Sequence, residues 1–390
     1  MHVLMISLDA TILNEQIGNS RPRHEFYAQQ AGRISMVVCN RRSGKRLAAY
    51  CSERVTAIPT NSASYFHYLL DGYHAALKLA AESDQPVDVI TTQDPFLTAL
   101  IGLRLRSKLR VPVIMQDHSS FLSSAQFAAE RGRNRLLTWV ARWILPRADA
   151  VRVVNSAERS ACVQLGIATE KVCTIPLVFD LSPFLQAQPD QAAAWRTRIG
   201  VAADDPLILW VGRPVAFKNL PLLLRAFRRV HQAEPSARLV LAGDLSNTDF
   251  PAQIAQLSLT DAVCLLGAVA HHDLPGLYQA ASIYALSSNY EGLARVLLEA
   301  AASGLPIVST RIIGIEDVIQ QDQTGLLVPL GDEAALADAL ITLIRNPVQR
   351  QQLGSAARAH LLEAFDEQRL LHKWVSMWQR VAKGETACAS

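Results

Sequence analysis

The sequence predicts an α/β protein built as two Rossmann-like lobes facing a cleft. Apolar, β-rich runs of roughly five to eight residues alternate with longer helical patterns along almost the whole chain. The strand candidates are unbroken apolar runs rather than alternating ones, which marks a parallel sheet covered on both faces. A length of 390 residues, at roughly 150 per domain, allows two or three cores.

In the first half, strands are expected at Val3–Ser7, Ser35–Cys39, Val87–Thr91, Val111–Gln116, Ala150–Val154 and Val172–Val178. Helices fall between them near Asn61–Ala81, Pro95–Leu109, Arg131–Leu145 and Ala157–Leu165. The pattern loosens over Phe179–Pro206, rich in Asp, Gln, Ala and Pro, and Asp204-Asp205-Pro206 breaks it as a turn. That stretch reads as a linker with a short helix near Ala192–Ile199. A second series follows, with strands Leu207–Val211, Arg238–Ala242, Val263–Leu266, Ser282–Leu286, Ile307–Ser309 and Gly325–Val328. Its helices are Leu220–Ala233, Leu274–Ala280, Leu293–Ala302 and Glu333–Ile344, and Pro347–Lys383 reads as two amphipathic helices. The domains predicted are 1–185, 186–365 and a terminal helical segment 366–390. No repeat of solenoid period occurs.

Half the residues are apolar, 19% are charged and mean hydropathy is +0.13, which argues against disorder. Arg or Lys interrupts every apolar run before the roughly 18–20 residues of a membrane span. Met1–Ser7 has no basic n-region and is too short for a signal peptide. The six cysteines, with no CxxC, read as scattered thiols in a reducing cytoplasm. Net charge is +3, but residues 1–180 carry 21 basic and 15 acidic residues, hence +6, leaving −3 for the rest. Ile101–Arg147 alone holds nine basic and two acidic residues, which points to an anionic partner for the first half.

Ligands of parallel α/β sheets bind beyond the carboxyl ends of strands, so strand-to-helix loops are the places to search. Gly212-Arg213-Pro214-Val215-Ala216-Phe217-Lys218-Asn219 sets two cations before a helix, a fork and a point charge suited to a diphosphate. The second such loop is Ser287-Ser288-Asn289-Tyr290-Glu291-Gly292-Leu293, leading into Glu299. Glu291 and Glu299 are roughly 12 Å apart by helical rise, too far to act on one bond and suited to gripping two parts of an extended ligand. Glu299 lies among Leu298 and three alanines, so it needs a partner. There is no Walker motif and no GxGxxG.

Together these segments resemble the family 4 retaining glycosyltransferases of the GT-B fold. The likeness rests on Gly212-Arg213 with Lys218-Asn219, Glu291-x7-Glu299, Gly304-Leu305-Pro306-Ile307-Val308-Ser309-Thr310, Gly314 with Asp317-Val318, and Thr324-Gly325 through Pro329. It covers most of 205–335 and is fainter earlier, at Asp88-Val89-Ile90, Gln93-Asp94-Pro95, His118 and Ala148-Asp149-Ala150.

The resemblance implies that Arg213 and Lys218 neutralise the donor diphosphate without a metal and that Glu299 holds ribose hydroxyls. It implies that Glu291 holds a hydroxyl of the transferred sugar, that His118 meets the sugar from the opposite lobe, and that the backbone at Ala268-Val269 meets the base. The amides of Gly292 and Leu293 would approach phosphate or sugar at a helix start. No cofactor is implied, and the absence of Asp-x-Asp agrees with metal-independent action. The substrates implied are a UDP- or GDP-linked sugar and a glycan or lipid-linked acceptor, in cell-envelope polysaccharide or glycolipid synthesis, with the terminal helix crossing back to the first lobe.

Departures from the family pattern are also present. Gly18 is the only glycine in Asp9–Arg23, where relatives carry Gly-Gly, so it alone stands for the donor contact of that loop. Leu177-Val178 replaces an Asn-Gly hinge, and Ala294-Arg295 follows Glu-Gly in place of a small or apolar pair. Other readings of the chain are a GT-B sugar-nucleotide epimerase or phosphorylase, a solute-binding protein, and a silent nucleotide-binding relative.

Leu103–Arg110 and Arg131–Arg147 are amphipathic and basic. Leu136, Val140, Trp143 and Ile144 would form a core face, and Arg131, Arg135 and Arg142 a solvated one. The sharper reading is docking of 101–147 to anionic lipid headgroups, giving a peripheral protein on the inner face of the membrane. Nucleic acid does not fit, because stacking aromatics are not interleaved with the cations.

Overall fold

The computed structural model describes residues 1–14, 20–42 and 46–388. They form two compact units, Met1–Phe179 joined by the C-terminal segment from Glu367, and Asp180–Asp366. Residues 180–185, assigned to the N-terminal domain from sequence, belong to the second unit, where Phe184 packs edge-on to Tyr278 at 5.5 Å.

The first unit is centred on an eight-stranded sheet: β1 (His2–Ser7), β2 (Arg33–Val38), β3 (Tyr50–Cys51), β4 (Val55–Pro59), β5 (Val89–Thr92), β6 (Val113–Asp117), β7 (Ala150–Val153) and β8 (Val172–Thr174). Its order is β3-β4-β2-β1-β5-β6-β7-β8, parallel except for the β3–β4 pair. Leu4, Ile6, Val37, Ile90, Val113 and Met115 are fully buried or nearly so, as unbroken apolar strands require.

The second sheet holds β9 (Leu207–Val211), β10 (Arg238–Ala242), β11 (Val263–Gly267), β12 (Ile283–Leu286), β13 (Ile307–Thr310) and β14 (Leu326–Val328). Its order is β11-β10-β9-β12-β13-β14, all parallel. Helix Leu220–Ala233 buries Leu220, Leu223, Leu224, Phe227 and Val230, a stripe at helical spacing that seals one face.

In each sheet the strand order reverses direction at one place, between β1 and β5 and between β9 and β12. The crevice outside the strand ends at such a switch point is where open α/β sheets bind ligands.

Several elements lie outside the sequence expectation. Helix Ser20–Ala31 occupies part of what read as a loop, because its buried stripe is Ser20, His24, Tyr27, Ala28 and Ala31, too polar and small to give an apolar period. Strands β3 and β4 were also missed. The strand expected to reach Val178 stops at Thr174, two residues before Pro176. The helix expected from Leu293 begins at Arg295.

The thiol reading fails for one pair of cysteines. Cys173 and Cys388 form a disulfide with Cα atoms 5.5 Å apart. The C-terminal segment returns beside β8, where the Cys388 amide donates to the Glu170 carbonyl at 3.3 Å, and a separation of 215 residues hides that proximity from any spacing rule. Cys39 and Cys162 remain buried thiols, and burial pushes the Cys39 thiol up to about 12. Among the described residues no helix is long and apolar enough to cross a membrane.

Candidate functional site

In the second unit, the loops after β9 and β12 meet at the switch point. The Gly212 amide donates to the Ala242 carbonyl at 2.9 Å, and a Cβ placed on Gly243 would lie 2.0 Å from the Gly212 oxygen. Gly243 is thus what lets the two backbones approach. After a short 3-10 turn at Ala216–Lys218, Asn219 takes φ +46 and opens the following helix, whose Pro221 fits its first turn. The β12 loop is stitched to this one by three bonds. Asn289 N–H donates to the Phe217 carbonyl at 2.7 Å, Ser287 Oγ to the Lys218 carbonyl at 2.9 Å, and Asn219 Nδ2 to Asn289 Oδ1 at 2.9 Å. Phe217 and Tyr290 stack at 4.9 Å.

That stitching brings Lys218 Nζ to 2.6 Å from Glu291 Oε1, with both side chains only 12% exposed. Ser288 Oγ donates to the same carboxylate at 2.8 Å. Arg213 is exposed and meets no acid among the described residues. The two cations predicted together are therefore unlike: one is half-buried and paired, the other solvent-facing.

Glu299 lies on helix Arg295–Ala302 and is 3% exposed. Its partners answer the need seen in the sequence. Tyr278 Oη donates to Oε2 at 3.0 Å, Arg295 Nε lies 2.8 Å from Oε1, and His271 Nε2 lies 3.5 Å from Oε1. Burial and the neighbouring carboxylate push the Tyr278 phenol well above its usual range, so it is a donor at any physiological pH. Arg295, which stood out as a departure from the family pattern, is the i,i+4 counter-ion of Glu299 and also contacts His271. Val269 sits half-buried in the loop after β11, two residues before His271. Gly292 and Leu293 lie ahead of the helix rather than in its first turn, so the expected helix-start amides belong to an irregular segment. Tyr278 and His271 were not singled out in the sequence and carried no motif of their own.

In the first unit, a cavity of about 60 Å³ lies at the strand ends of β1, β5 and β6. Gln93 Oε1 accepts from Ser7 Oγ and from the amides of Leu8 and Asp9 at 2.6–3.1 Å, locking the first loop to β5. His118 lines the cavity with Arg23, His24, Arg152 and Trp374. Gly18 lies outside the described residues.

Arg152 is 3% exposed. It donates to the carbonyls of Ile175 and Pro176 and to Gln116 Oε1, at 2.7–2.9 Å, and lies 4.4 Å over the Trp374 ring. A guanidinium can only donate, so the Gln116 atom facing it is the oxygen. Since His118 Nε2 lies 2.8 Å from that same oxygen, it must carry the proton. His118 is thereby held as the Nε2–H tautomer with a bare Nδ1. Burial, then the charges of Arg152 and Arg23, take its pKa down to about 3, so it is neutral at physiological pH. His24 donates Nδ1–H to the Ser20 carbonyl at 2.7 Å and is pushed by burial to about 4.

Beside His118, Asp117 and Glu158 are both fully buried, and burial with the neighbouring carboxylate raises the Asp117 pKa well above its usual range. Glu158 accepts from the amides of Leu122 and Ser123 at 2.7 and 3.0 Å, fixing the loop that follows His118.

Two parallel α/β units, each with a polar site at its switch point, define the GT-B class of architecture. A family model described as Glycosyl transferases group 1 matches residues 191–360, and one described as Glycosyltransferase Family 4 matches residues 27–182. The chain belongs to the family 4 glycosyltransferases.

A D-inositol 3-phosphate glycosyltransferase of Kineococcus radiotolerans is 34% identical over 233 residues, 55% of this chain and 53% of that protein. The protein of the same name from Saccharomonospora viridis is 28% identical over 278 residues, 68% of this chain and 64% of that protein. The chain thus spans between half and two thirds of the length of these curated relatives. Among solved structures, sucrose-phosphate synthase of Thermosynechococcus elongatus superposes with a TM-score of 0.81 at 21% identity, covering 99% of this chain and 100% of the other. Anabaena Alr3699/HepE in complex with UDP gives 0.76 at 20% identity, covering 97% and 100%. These likenesses show a shared fold.

Proposed function

We propose that this chain is a retaining glycosyltransferase that moves a sugar from a UDP- or GDP-linked donor to a glycan or lipid-linked acceptor, in polysaccharide or glycolipid synthesis. The observation that carries the reading is the Lys218–Glu291 pair at 2.6 Å beside the unpaired Arg213, one loop away from the buried Glu299.

In that pair each partner stands in for part of the donor. The diphosphate draws Lys218 and is met by Arg213, while Glu291 is released to accept a hydroxyl of the transferred sugar. Glu299 keeps accepting capacity for ribose hydroxyls, since each carboxylate oxygen can take about two bonds. When the anomeric C–O bond breaks, its electron pair passes to the diphosphate oxygen, where the two cations lower the barrier most. The acceptor oxygen attacks the anomeric carbon on the face the diphosphate leaves, and its proton goes to a leaving-group oxygen. No side chain serves as nucleophile. Neutral His118 offers an acceptor at Nδ1 for a hydroxyl group. The leaving-group charge is met by Arg213 and Lys218 alone, without a divalent ion.

The test is a thermal-shift screen with UDP, GDP, ADP and their sugars, followed by donor turnover with and without EDTA. UDP comes first, because the structural relative Alr3699/HepE was solved with it. The expected result is a shift with one nucleotide family, turnover unchanged by EDTA, and product with the donor's anomeric configuration by NMR. An inverted product would remove the retaining mechanism, and loss of turnover in EDTA would remove the metal-free one. Absence of both transfer and donor hydrolysis would leave a nucleotide-binding protein only.

A further inference from the structure

Helix Gly132–Ile144 is amphipathic in the opposite sense to a core helix. Only Asn134, Ala141 and Ile144 are buried, while Leu136, Trp139 and Trp143 are 59%, 64% and 48% exposed. The sequence had placed Leu136 and Trp143 in a core face, and the structure turns both outward. At 3.6 residues per turn, Leu136 and Trp143 run along one side of Trp139, and Arg135 and Arg142 along the other.

The apolar strip continues onto neighbouring helices. Trp143 borders a shallow groove of about 680 Å³ with Leu69 and Tyr73 of helix Tyr68–Glu82 and Leu100 and Leu103 of helix Leu97–Leu109. Just ahead of Leu69, Phe66 is 92% exposed, and Leu70 is 54% exposed. The rim is cationic. Arg104 and Lys108 line the groove, Arg147 lies over the Trp143 ring at 3.7 Å, and Arg131 and Arg133 are exposed at the helix start. Of the nearby acids, Asp149 is already paired with Arg106 at 2.7 Å.

We propose that this face docks on an anionic bilayer surface, with Trp139, Trp143 and Leu136 at the headgroup–acyl boundary and the surrounding arginines on lipid phosphates. Exposed indoles next to cations suit that boundary, where an amphipathic ring has one side apolar and the other wet. Basic residues near an anionic leaflet add attraction that a neutral bilayer cannot supply. The occupant follows from charge. A protein partner would need an apolar surface ringed with acid, whereas an anionic membrane offers both properties over any area.

The tryptophans make the test specific. Of six in the chain, Trp195, Trp210, Trp374 and Trp378 are buried, so a change in emission on binding reports Trp139 and Trp143. The full chain is mixed with phosphatidylcholine vesicles containing about a third phosphatidylglycerol, or none, and followed by flotation and tryptophan emission. We expect flotation with the anionic vesicles only, a blue shift on binding, and weakening as salt is raised. R135E with R142E lowers the partition coefficient by at least roughly tenfold, and W139S with W143S also lowers flotation with the anionic vesicles. Melting temperature and bulk donor hydrolysis, read on each variant, stay at the parent values because all four positions are on the surface and outside both candidate sites. Equal flotation with neutral vesicles, no flotation at all, or an unchanged partition for the charge-reversed variant would overturn the proposal. So would displacement of the vesicles by a short oligonucleotide, which would assign the face to nucleic acid.

Discussion

The two units handle charge in opposite ways at equivalent places in their sheets. At the β9–β12 switch point every acid of the site has a cation: Glu291 has Lys218, and Glu299 has Arg295. At the β1–β5 switch point charge is met by neutral groups. Arg152 is bound by two carbonyls, an amide oxygen and an indole, while Asp117 and Glu158 lie against each other. An ion pair can exchange one partner for a ligand of the same charge, and because these carboxylates lie largely out of water neither half can be left unpaired in the exchange. A buried guanidinium held by carbonyls has no such alternative. Under the proposed function the second unit trades its internal pairs for a donor, while the first holds a neutral His118 in place.

The sharpest way to break that contrast is to remove one arginine from each side. Arg213→Ala should lower turnover by about 10²–10³-fold, roughly 3–4 kcal/mol of barrier, with milder loss of donor affinity and a melting temperature near that of the parent. Steady-state kinetics beside a thermal melt decide it, and near-normal turnover would take Arg213 out of the leaving-group site. Arg152→Met should do the reverse. Two carbonyls and the Gln116 oxygen each lose a buried donor, so urea denaturation should show a loss of about 3 kcal/mol. A stability within about 0.5 kcal/mol of the parent would mean that the network around Gln116 is not rigid.

Glu299→Ala probes the exchangeable side at its most buried point. Donor affinity should fall by about 1.5–3 kcal/mol, the scale of a lost charged hydrogen bond, read by calorimetry with the nucleotide diphosphate. Because Arg295 and Tyr278 also lose their acceptor, the Glu299→Gln variant is the control: it keeps one acceptor oxygen and should recover part of the binding. Unchanged nucleotide affinity in both variants would reject the ribose role.

How far the sequence reached follows from how each site is assembled. The second unit's site is drawn from two short segments of one chain region, 212–219 and 291–299, each with charges at family spacing, so its residues could be named before their geometry was known. Tyr278 and His271 escaped because a single buried tyrosine and a loop histidine carry no pattern. In the first unit, Arg23, Arg152 and Trp374 come from elements spread over most of the chain, and nothing local marks them as neighbours. The alternation of strands and helices was legible because parallel strands buried on both faces are apolar throughout. What was lost was what lacks that signature: helix Ser20–Ala31 with its polar buried stripe, the short edge strands, the helix start at Arg295, and the Cys173–Cys388 bridge.

The smallest expected effect tests whether the neutral side is as fixed as its hydrogen bonds imply. His118 has a pKa of about 3 in the folded protein, against about 6.5 for an unperturbed histidine. Between those values the unfolded chain binds a proton that the folded chain does not, so stability rises with pH across that window. The contribution is complete above about pH 6.5 and is lost as pH falls toward 3. Arg152, which faces the ring and whose pKa burial lowers only to about 10, keeps its charge throughout the range and leaves the sign unchanged. From pH 7 to pH 5 the loss due to this one histidine is about 2 kcal/mol, that is, about 1.5 pH units at 1.36 kcal/mol each. In His118→Gln, denaturant melts at the two pH values should therefore differ by about 2 kcal/mol less than in the parent, with the contribution of His24 left in place. An identical pH dependence in parent and variant would show that His118 can take up a proton as the protein stands, and the fixed Nε2–H tautomer would go with it.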